Sequence, residues 1–477
     1  MGWGRCTALA SAALLLAGCG AFGIGDADGK GGSDGPSKTF ARPPAGKPAQ
    51  DPAPGDFNGD GYDDLATVLT STRKAKNGGK YERNTLTVVY GSAKGLRPEW
   101  SQRLPAGTND YGAAIGRLLR ADLDGDGFTD LATYADGTKL PRATYVLYGG
   151  PRGLSKRHPV KAEAFRSGGS GPDAGFRPAA AGDFDGDGHA DLFDGRTILF
   201  GPFPRGGAPA RQGEVPGGHP NPVQAIAGDY NADGRTDVAL TYPWDAKEYD
   251  QNDDPPTGRP PQIDYYQSGP GGLRNSDPVP PGLDSMSTYD GPRQGVAGDV
   301  DGDGVDDLVA NGEHYIEGPG AESKLTLIHG SKAGPGRGKA SRILAGSGTW
   351  WGSTPMIGDV TGDKKPDLVA SRPGFSLRDT DRLLLFPGGA EGPAMEGHQV
   401  VRGDDPDLPG DVEAFRFEPE DLLDVDGDGR RDLIVRSHHH ARPYEDFVVL
   451  SGTPKGFVPK TARHFTSDDV GVRVGRR

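Results

Sequence analysis

Asp122-Leu123-Asp124-Gly125-Asp126-Gly127-Phe128-Thr129-Asp130-Leu131 is the stretch on which the reading of this chain turns. Carboxylates stand at positions 1, 3, 5 and 9 of a nine-residue turn, and an apolar run follows. Side chains in that pattern converge, and the backbone carbonyl of position 7, Phe128, adds an oxygen. Calcium takes six to eight oxygens at about 2.3–2.6 Å in adaptable geometry, so this donor set suits it. Gly127 at position 6 allows a backbone conformation that residues with a Cβ resist. The stretch is not a helix-loop-helix calcium loop, which has twelve residues and ends in Glu. Here β-type residues flank the turn.

The same nine positions recur. The expected ligands are Asp56, Asn58, Asp60 and Asp64 with the Tyr62 carbonyl, then Asp122, Asp124, Asp126 and Asp130 with Phe128. Next come Asp183, Asp185, Asp187 and Asp191 with His189, and Asp229, Asn231, Asp233 and Asp237 with Arg235. The fifth set is Asp299, Asp301, Asp303 and Asp307 with Val305. The seventh is Asp424, Asp426, Asp428 and Asp432 with Arg430. The sixth copy starts at Asp359 but carries Thr361 for a carboxylate and Lys364 for the glycine, with Lys365 and Pro366 following. About six Ca²⁺ sites are therefore expected, with a seventh weak or absent at a loop whose blade is retained. Carboxylates crowded this closely are costly without a cation. Seven divalent ions would also balance the formal charge of −14.

Successive first aspartates lie 66, 61, 46, 70, 60 and 65 residues apart. Each loop is followed by an apolar strand and then by a second one, in most copies ending in glycine, as in Leu86-Thr-Val-Val-Tyr90-Gly91 and Leu325-Thr-Leu-Ile-His329-Gly330. A Gly-Leu or Gly-Phe turn commonly comes next, as at Gly95-Leu96 and Gly456-Phe457. About four short strands per repeat make one propeller blade. With 78 Gly, 42 Pro and no long run of helical periodicity, the fold class is all-β: a seven-bladed β-propeller spanning 51–477. A ring must close, because an open end leaves unpaired sheet edge. The segment at about 468–475 is similar to Asn109–Gly116, which leads into the second loop, and no comparable segment precedes Asp56. Residues 468–475 are therefore expected to supply a closing inner strand for the first blade.

The N-terminus reads as an export signal over residues 1–18, with Arg5 ahead of an apolar run too short to span a bilayer. Leu16-Ala17-Gly18-Cys19 resembles the lipobox of bacterial lipoproteins, which implies lipidation at Cys19 and removal of Cys6. No thiol pair then remains. Residues 19–50 read as the lipidated cysteine followed by a flexible tether. At about 0.8 kcal/mol per buried CH₂, several acyl chains would hold the chain on a membrane. The expected location is the outer face of a bacterial cytoplasmic membrane, at the cell surface.

The repeats resemble those of FG-GAP/VCBS repeat proteins, a group that includes the propeller heads of integrin α subunits. The resemblance covers almost everything after the tether and implies that the aspartates and asparagines above are calcium ligands. The Phe-Gly/Gly-Ala-Pro signature is poorly kept, which places the chain on the bacterial VCBS side. Family membership says little about the ligand.

No nucleophile elbow, HExxH, P-loop or dinucleotide fingerprint occurs, and no enzymatic role is expected. His438-His439-His440 follows a strand, and three consecutive His cannot all face one side of it. Arg402-Gly403-Asp404 spells an adhesion tripeptide that such a composition produces by chance. Trp350-Trp351 are read as core. An acidic insert, Trp244–Gln262, and a basic one, Arg73 through Lys80 and Arg83, are candidate specificity loops. The expected function is non-catalytic cell-surface recognition or adhesion with a protein or glycan ligand. The alternatives are a carbohydrate-binding or lyase-like propeller and a scaffold for envelope complexes. Nucleic acid is not an expected partner, and the chain is expected to be a monomer.

Overall fold

The computed structural model describes residues 40–50, 52–74, 80–109, 117–137, 140–161, 175–206, 208–218, 224–241, 263–280, 292–312, 325–345, 354–372, 380–393, 396–410, 417–438 and 444–474. The export signal, Cys19, the tether up to residue 39, Trp350-Trp351, the 244–262 insert and His439-His440 lie outside them. One compact unit runs from Thr39 to Arg477.

Seven antiparallel sheets follow one another along the chain, six with four strands and one with three. Blades 2 to 7 begin with the inner strands Leu119–Ala121, Ala180–Gly182, Gln224–Gly228, Pro292–Gly298, Met356–Gly358 and Phe417–Leu423. A carboxylate loop follows each, and the last aspartate of the loop opens the second strand in blades 2 to 7: Asp130–Gly137, Asp191–Phe193, Asp237–Thr241, Asp307–Gly312, Asp367–Arg372 and Asp432–His438. The third strand returns and the fourth lies outermost. Inner strands of successive blades touch, so they surround the centre. Near-continuous apolar runs, such as Val238-Ala239-Leu240 in a second strand and Leu325 to Ile328 in a third, put buried side chains on both faces of the sheet, as sheets covered on both sides require.

Seven buried apolar clusters fill seven seams. Phe57 and Val88 of blade 1 meet Leu131 and Leu147 of blade 2, and Leu123 and Val146 then meet Leu192 and Phe203. Phe193 of blade 3 meets Tyr266 of blade 4, Tyr265 meets Leu308, Val309 meets Leu368, and Val369 meets Leu433. The last cluster joins Ile434 and Phe447 of blade 7 to Leu65 and Val89 of blade 1. The ring is closed, and the seven-bladed expectation holds.

Closure differs from expectation in its means. Blade 1 has three strands, Leu65–Lys74, Lys80–Tyr90 and Arg97–Asn109, and no inner strand among the described residues. Residues 468–471 form a turn rather than the expected closing strand. The Asp469 carboxylate accepts the Thr466 amide (2.9 Å) and hydroxyl (2.8 Å), and the Gly471 amide folds back on Asp468 O (3.0 Å). That local capping competes with extension. Val470 and Val472 instead act as plugs in the blade 7–blade 1 cluster. Where blade 1 lacks its inner strand, Arg120 of blade 2 pairs with Asp421 of blade 7. The Arg436 guanidinium, paired with Glu445 (Nε, 2.7 Å), donates to the Val68 carbonyl (3.2 Å).

The chain from Phe40 to residue 50, read as tether, is laid along blades 1 and 2. Amides of Ala41, Lys47 and Ala49 donate to Glu99 O (2.9 Å), Gly59 O (2.8 Å) and Gly127 O (2.8 Å). A Cβ on Gly46 would lie 2.1 Å from the Gly59 carbonyl, so only glycine permits this approach.

Candidate metal centres

One hydrogen-bond scheme builds the loops. In blade 2, Asp122 Oδ1 accepts the amides of Gly125 (2.8 Å) and Asp126 (3.2 Å), and Oδ2 accepts Gly127 (2.8 Å). Asp124 Oδ1 takes the Asp126 amide and Asp126 Oδ1 the Phe128 amide, both at 3.2 Å. Asp56, Asp183, Asp229, Asp299 and Asp424 organise their loops in the same way. The position-7 residues Tyr62, His189, Arg235, Val305 and Arg430 likewise donate their amides to position 5.

Two residues per loop are left-handed, at positions 4 and 6, as Gly125 (φ 77) and Gly127 (φ 83) show. The sequence reading assigned that freedom to position 6 alone. The two left-handed non-glycine residues among those described are Ala232 at position 4 and Lys364 at position 6. The sixth loop keeps the scheme, with Asp359 accepting Gly362 (2.6 Å) and Lys364 (2.8 Å), so its blade is retained.

Position 9 ties each loop to its own sheet. Asp130 Oδ2 accepts the Leu123 amide (2.9 Å) and Oδ1 the amide of Gly149 (2.7 Å), just past the third strand. Asp64, Asp191, Asp307, Asp367 and Asp432 do the same with Gly91, Gly201, Gly330, Gly388 and Gly452, and Asp237 uses Ser268. The glycine is needed for space: a Cβ on Gly149 would sit 2.3 Å from the Thr129 carbonyl.

The loops also lace one blade to the next. At three seams the position-8 amide donates to the position-1 carbonyl of the preceding blade: Thr236 to Asp183 (3.0 Å), Asp306 to Asp229 (3.0 Å) and Arg431 to Asp359 (2.8 Å). Asp63 to Asp424 (2.9 Å) repeats this where blade 7 meets blade 1. There the Asp63 carboxylate also accepts the Asp424 amide (2.9 Å) and pairs with Arg431.

The expected ligands converge. One oxygen from each of Asp122, Asp124 and Asp130 lies within 4.8 Å of the others, as do those of Asp183, Asp185 and Asp191, of Asp299, Asp301 and Asp303, and of Asp424, Asp426 and Asp428. In the first and fourth loops the third position is a buried amide, Asn58 or Asn231. Three position-3 oxygens, Asn231 Oδ1, Asp301 Oδ1 and Asp426 Oδ1, are buried without a hydrogen-bond partner. Such an orphan costs about 1–3 kcal/mol unless something binds it. An all-oxygen set with vacant lone pairs fits a hard divalent cation of the calcium kind.

Electrostatics point the same way. Burial pushes the Asp130 carboxyl up to about 8, with the charges of Asp124 and Asp122 adding to it against the pull of the Gly149 and Leu123 amides. Burial likewise raises Asp191 and Asp432 to about 7 and holds Asp64 well above the ordinary carboxylate range. Carboxyls that resist ionisation this strongly lack a countercharge. Basic groups from neighbouring segments supply part of it: Arg205 reaches Asp126 (2.9 Å) and Asp124 (3.3 Å), Arg211 pairs with Asp185, and Lys339 Nζ lies 2.6 Å from Asp301. Sequence reasoning missed these cations, which lie outside the nine positions, and it missed His329 beside the fifth loop.

The remaining motifs separate from the loops. Antiparallel pairing puts the second-to-third-strand connections, such as that after Thr241, at the end of the sheet away from the carboxylates. Both candidate insert loops therefore leave from the opposite face. In Arg402-Gly403-Asp404 the arginine and aspartate are paired with each other (2.8 and 2.9 Å). A recess of about 510 Å³ lies beside the first loop, lined by Trp100, Tyr62, Asp60, Ser92 and Lys47.

No protein-family model matches the chain. A segment of 92 residues, 18% of this chain, is 39% identical to Integrin alpha-PS5 of Drosophila melanogaster, and the chain spans 8% of that protein's length. Among solved structures the chain is similar to an exotype rhamnogalacturonan lyase, YesX, at 14% identity and a TM-score of 0.27, over 84% of this chain and 74% of that one. That second likeness is too distant to carry an argument.

Proposed function

We propose that this chain is an exported, lipid-anchored recognition or adhesion module, non-catalytic, whose propeller is cemented by calcium. Six loops would hold the ion through the carboxylates and amides at positions 1, 3, 5 and 9, and the sixth loop, with Thr361 and Lys364, would hold it weakly. The observation that carries this reading is the lacing. Loops one to four, six and seven each accept a backbone bond from the next blade, so an ion in such a loop stiffens a seam as well as a turn. Such a ring presents loops rigidly on either face, which is what recognition at a surface needs.

The test is thermal melting of the chain from residue 40 onward, chelated and then in millimolar calcium. Binding by the folded state alone should raise the midpoint by more than about 10 °C. An unchanged midpoint would sink the calcium reading. Screening the calcium-loaded protein against glycans and surface proteins tests recognition, and no ligand in either set would count against it. A glycan ligand is favoured by the recess beside Trp100 and Tyr62, where aromatic rings adjoin Asp60 and Lys47. Trp100→Ala should then abolish glycan capture while leaving the calcium-dependent melt intact.

A further inference from the structure

The fifth loop differs from its siblings by one side chain. In the other blades the residue before the position-9 partner is Tyr90, Tyr148, Phe200, Gln267, Pro387 or Ser451; in blade 5 it is His329. The third strand ends at Ile328, and the next residue turns its imidazole under the loop. His329 is 6% exposed, and its Nδ1 has no hydrogen-bond partner. That nitrogen lies 3.2 Å from Asp301 Oδ2 and 3.5 Å from Asp307 Oδ1. Asp301 Oδ1 is likewise buried and unpartnered. Asp301, Asp307 and His329 are all buried, with one ligand atom from each within 4.8 Å of the others.

We propose that Asp301, Asp307 and His329 form a mixed nitrogen–oxygen site for a transition-metal dication of the zinc class, distinct in chemistry from the all-oxygen loops. Metal–ligand bonds of about 2.0–2.2 Å at tetrahedral angles place ligand atoms roughly 3.3–3.6 Å apart, and His329 Nδ1 lies 3.2 and 3.5 Å from the two carboxylate oxygens. Calcium selects oxygen donors, whereas imidazole suits zinc and its neighbours. A buried imidazole nitrogen with no donor facing it is a cost that such an ion removes. Lys339, about half exposed, rests its ammonium on Asp301 Oδ2 (2.6 Å) and can swing outward when an ion enters. Asp301, and Asp307 as the position-9 carboxylate, would then be shared between this site and the oxygen set of Asp299 and Asp303. The proposal stands whether or not the other loops take calcium.

The experiment titrates the chelated chain with Co²⁺ in the presence of millimolar calcium and follows the visible ligand-field bands. One equivalent should bind, with bands that report a nitrogen ligand, and Zn²⁺ should displace it. His329→Gln should weaken Co²⁺ binding at least tenfold, while replacing His438, His439 and His440 by serine leaves it unchanged. Zinc-soaked crystals of the unaltered protein should show an anomalous peak beside His329 Nδ1, a result that needs no variant to fold. Co²⁺ binding that survives His329→Gln, or zinc density lying elsewhere, overturns the assignment. Failure of the calcium melt leaves these outcomes readable on their own.

Discussion

Lys364 holds a left-handed backbone (φ 66) where the other six loops have glycine. A side chain with a Cβ costs roughly 1–2 kcal/mol in that conformation. Lys364→Gly should therefore raise the unfolding free energy of the metal-free protein by about 1 kcal/mol in urea titration; a lower value would contradict the account. The carboxylate positions were legible because their spacing alone brings oxygens together. The glycine after the third strand of most blades was visible as a strand end, but its cause was not. Gly149 is small because the Thr129 carbonyl approaches it from the end of the carboxylate loop, and no local pattern encodes that meeting. His329 was hidden for the same reason. It is a ligand candidate only through a fold that carries it to Asp301 and Asp307, which precede it by 28 and 22 residues.

At the scale of elements, the C-terminal segment shows how a correct resemblance gives the wrong shape. Its likeness to the stretch before the second loop suggested an inner strand, but Asp469 and Gly471 fold it into a turn. What the likeness did preserve is the apolar spacing, since Val470 and Val472 both reach the seam between blades 7 and 1. Burying a valine contributes roughly 1.5–3 kcal/mol. Ending the chain at Ser467 should therefore cost about 3–5 kcal/mol and lower the thermal midpoint by several degrees. The pair Val470→Ser and Val472→Ser should reproduce most of that loss, whereas a strand-forming role would make it depend on backbone rather than on side chains.

For the whole molecule, the raised carboxyls set a pH dependence with a definite sign. Asp130, Asp191 and Asp432 keep protons in the folded, metal-free chain up to about 8, 7 and 7, while unfolded aspartate releases them near 3.9. Over that window the folded state binds more protons than the unfolded state, so stability falls as pH rises. The metal-free melting midpoint should thus drop between about pH 5 and pH 8. In calcium the drop should vanish or reverse, because the ion replaces the protons, and calcium uptake at pH 7 should release protons measurable in a weakly buffered solution. A metal-free midpoint that climbs across this range would refute the assignment of these groups.

The seam bonds have a consequence for how the chain comes apart. A linear array of repeats frays from its ends, because a terminal repeat has one neighbour. Here every blade has two, and the join between the last and the first repeats the bonds used elsewhere, Asp63 to Asp424 and Ser92 to Val425. Loosening one loop frees two blades at once, yet no blade is exposed at an end. Unfolding should then be a single event for all seven, starting at the seam between blades 7 and 1, where blade 1 has no inner strand among the described residues.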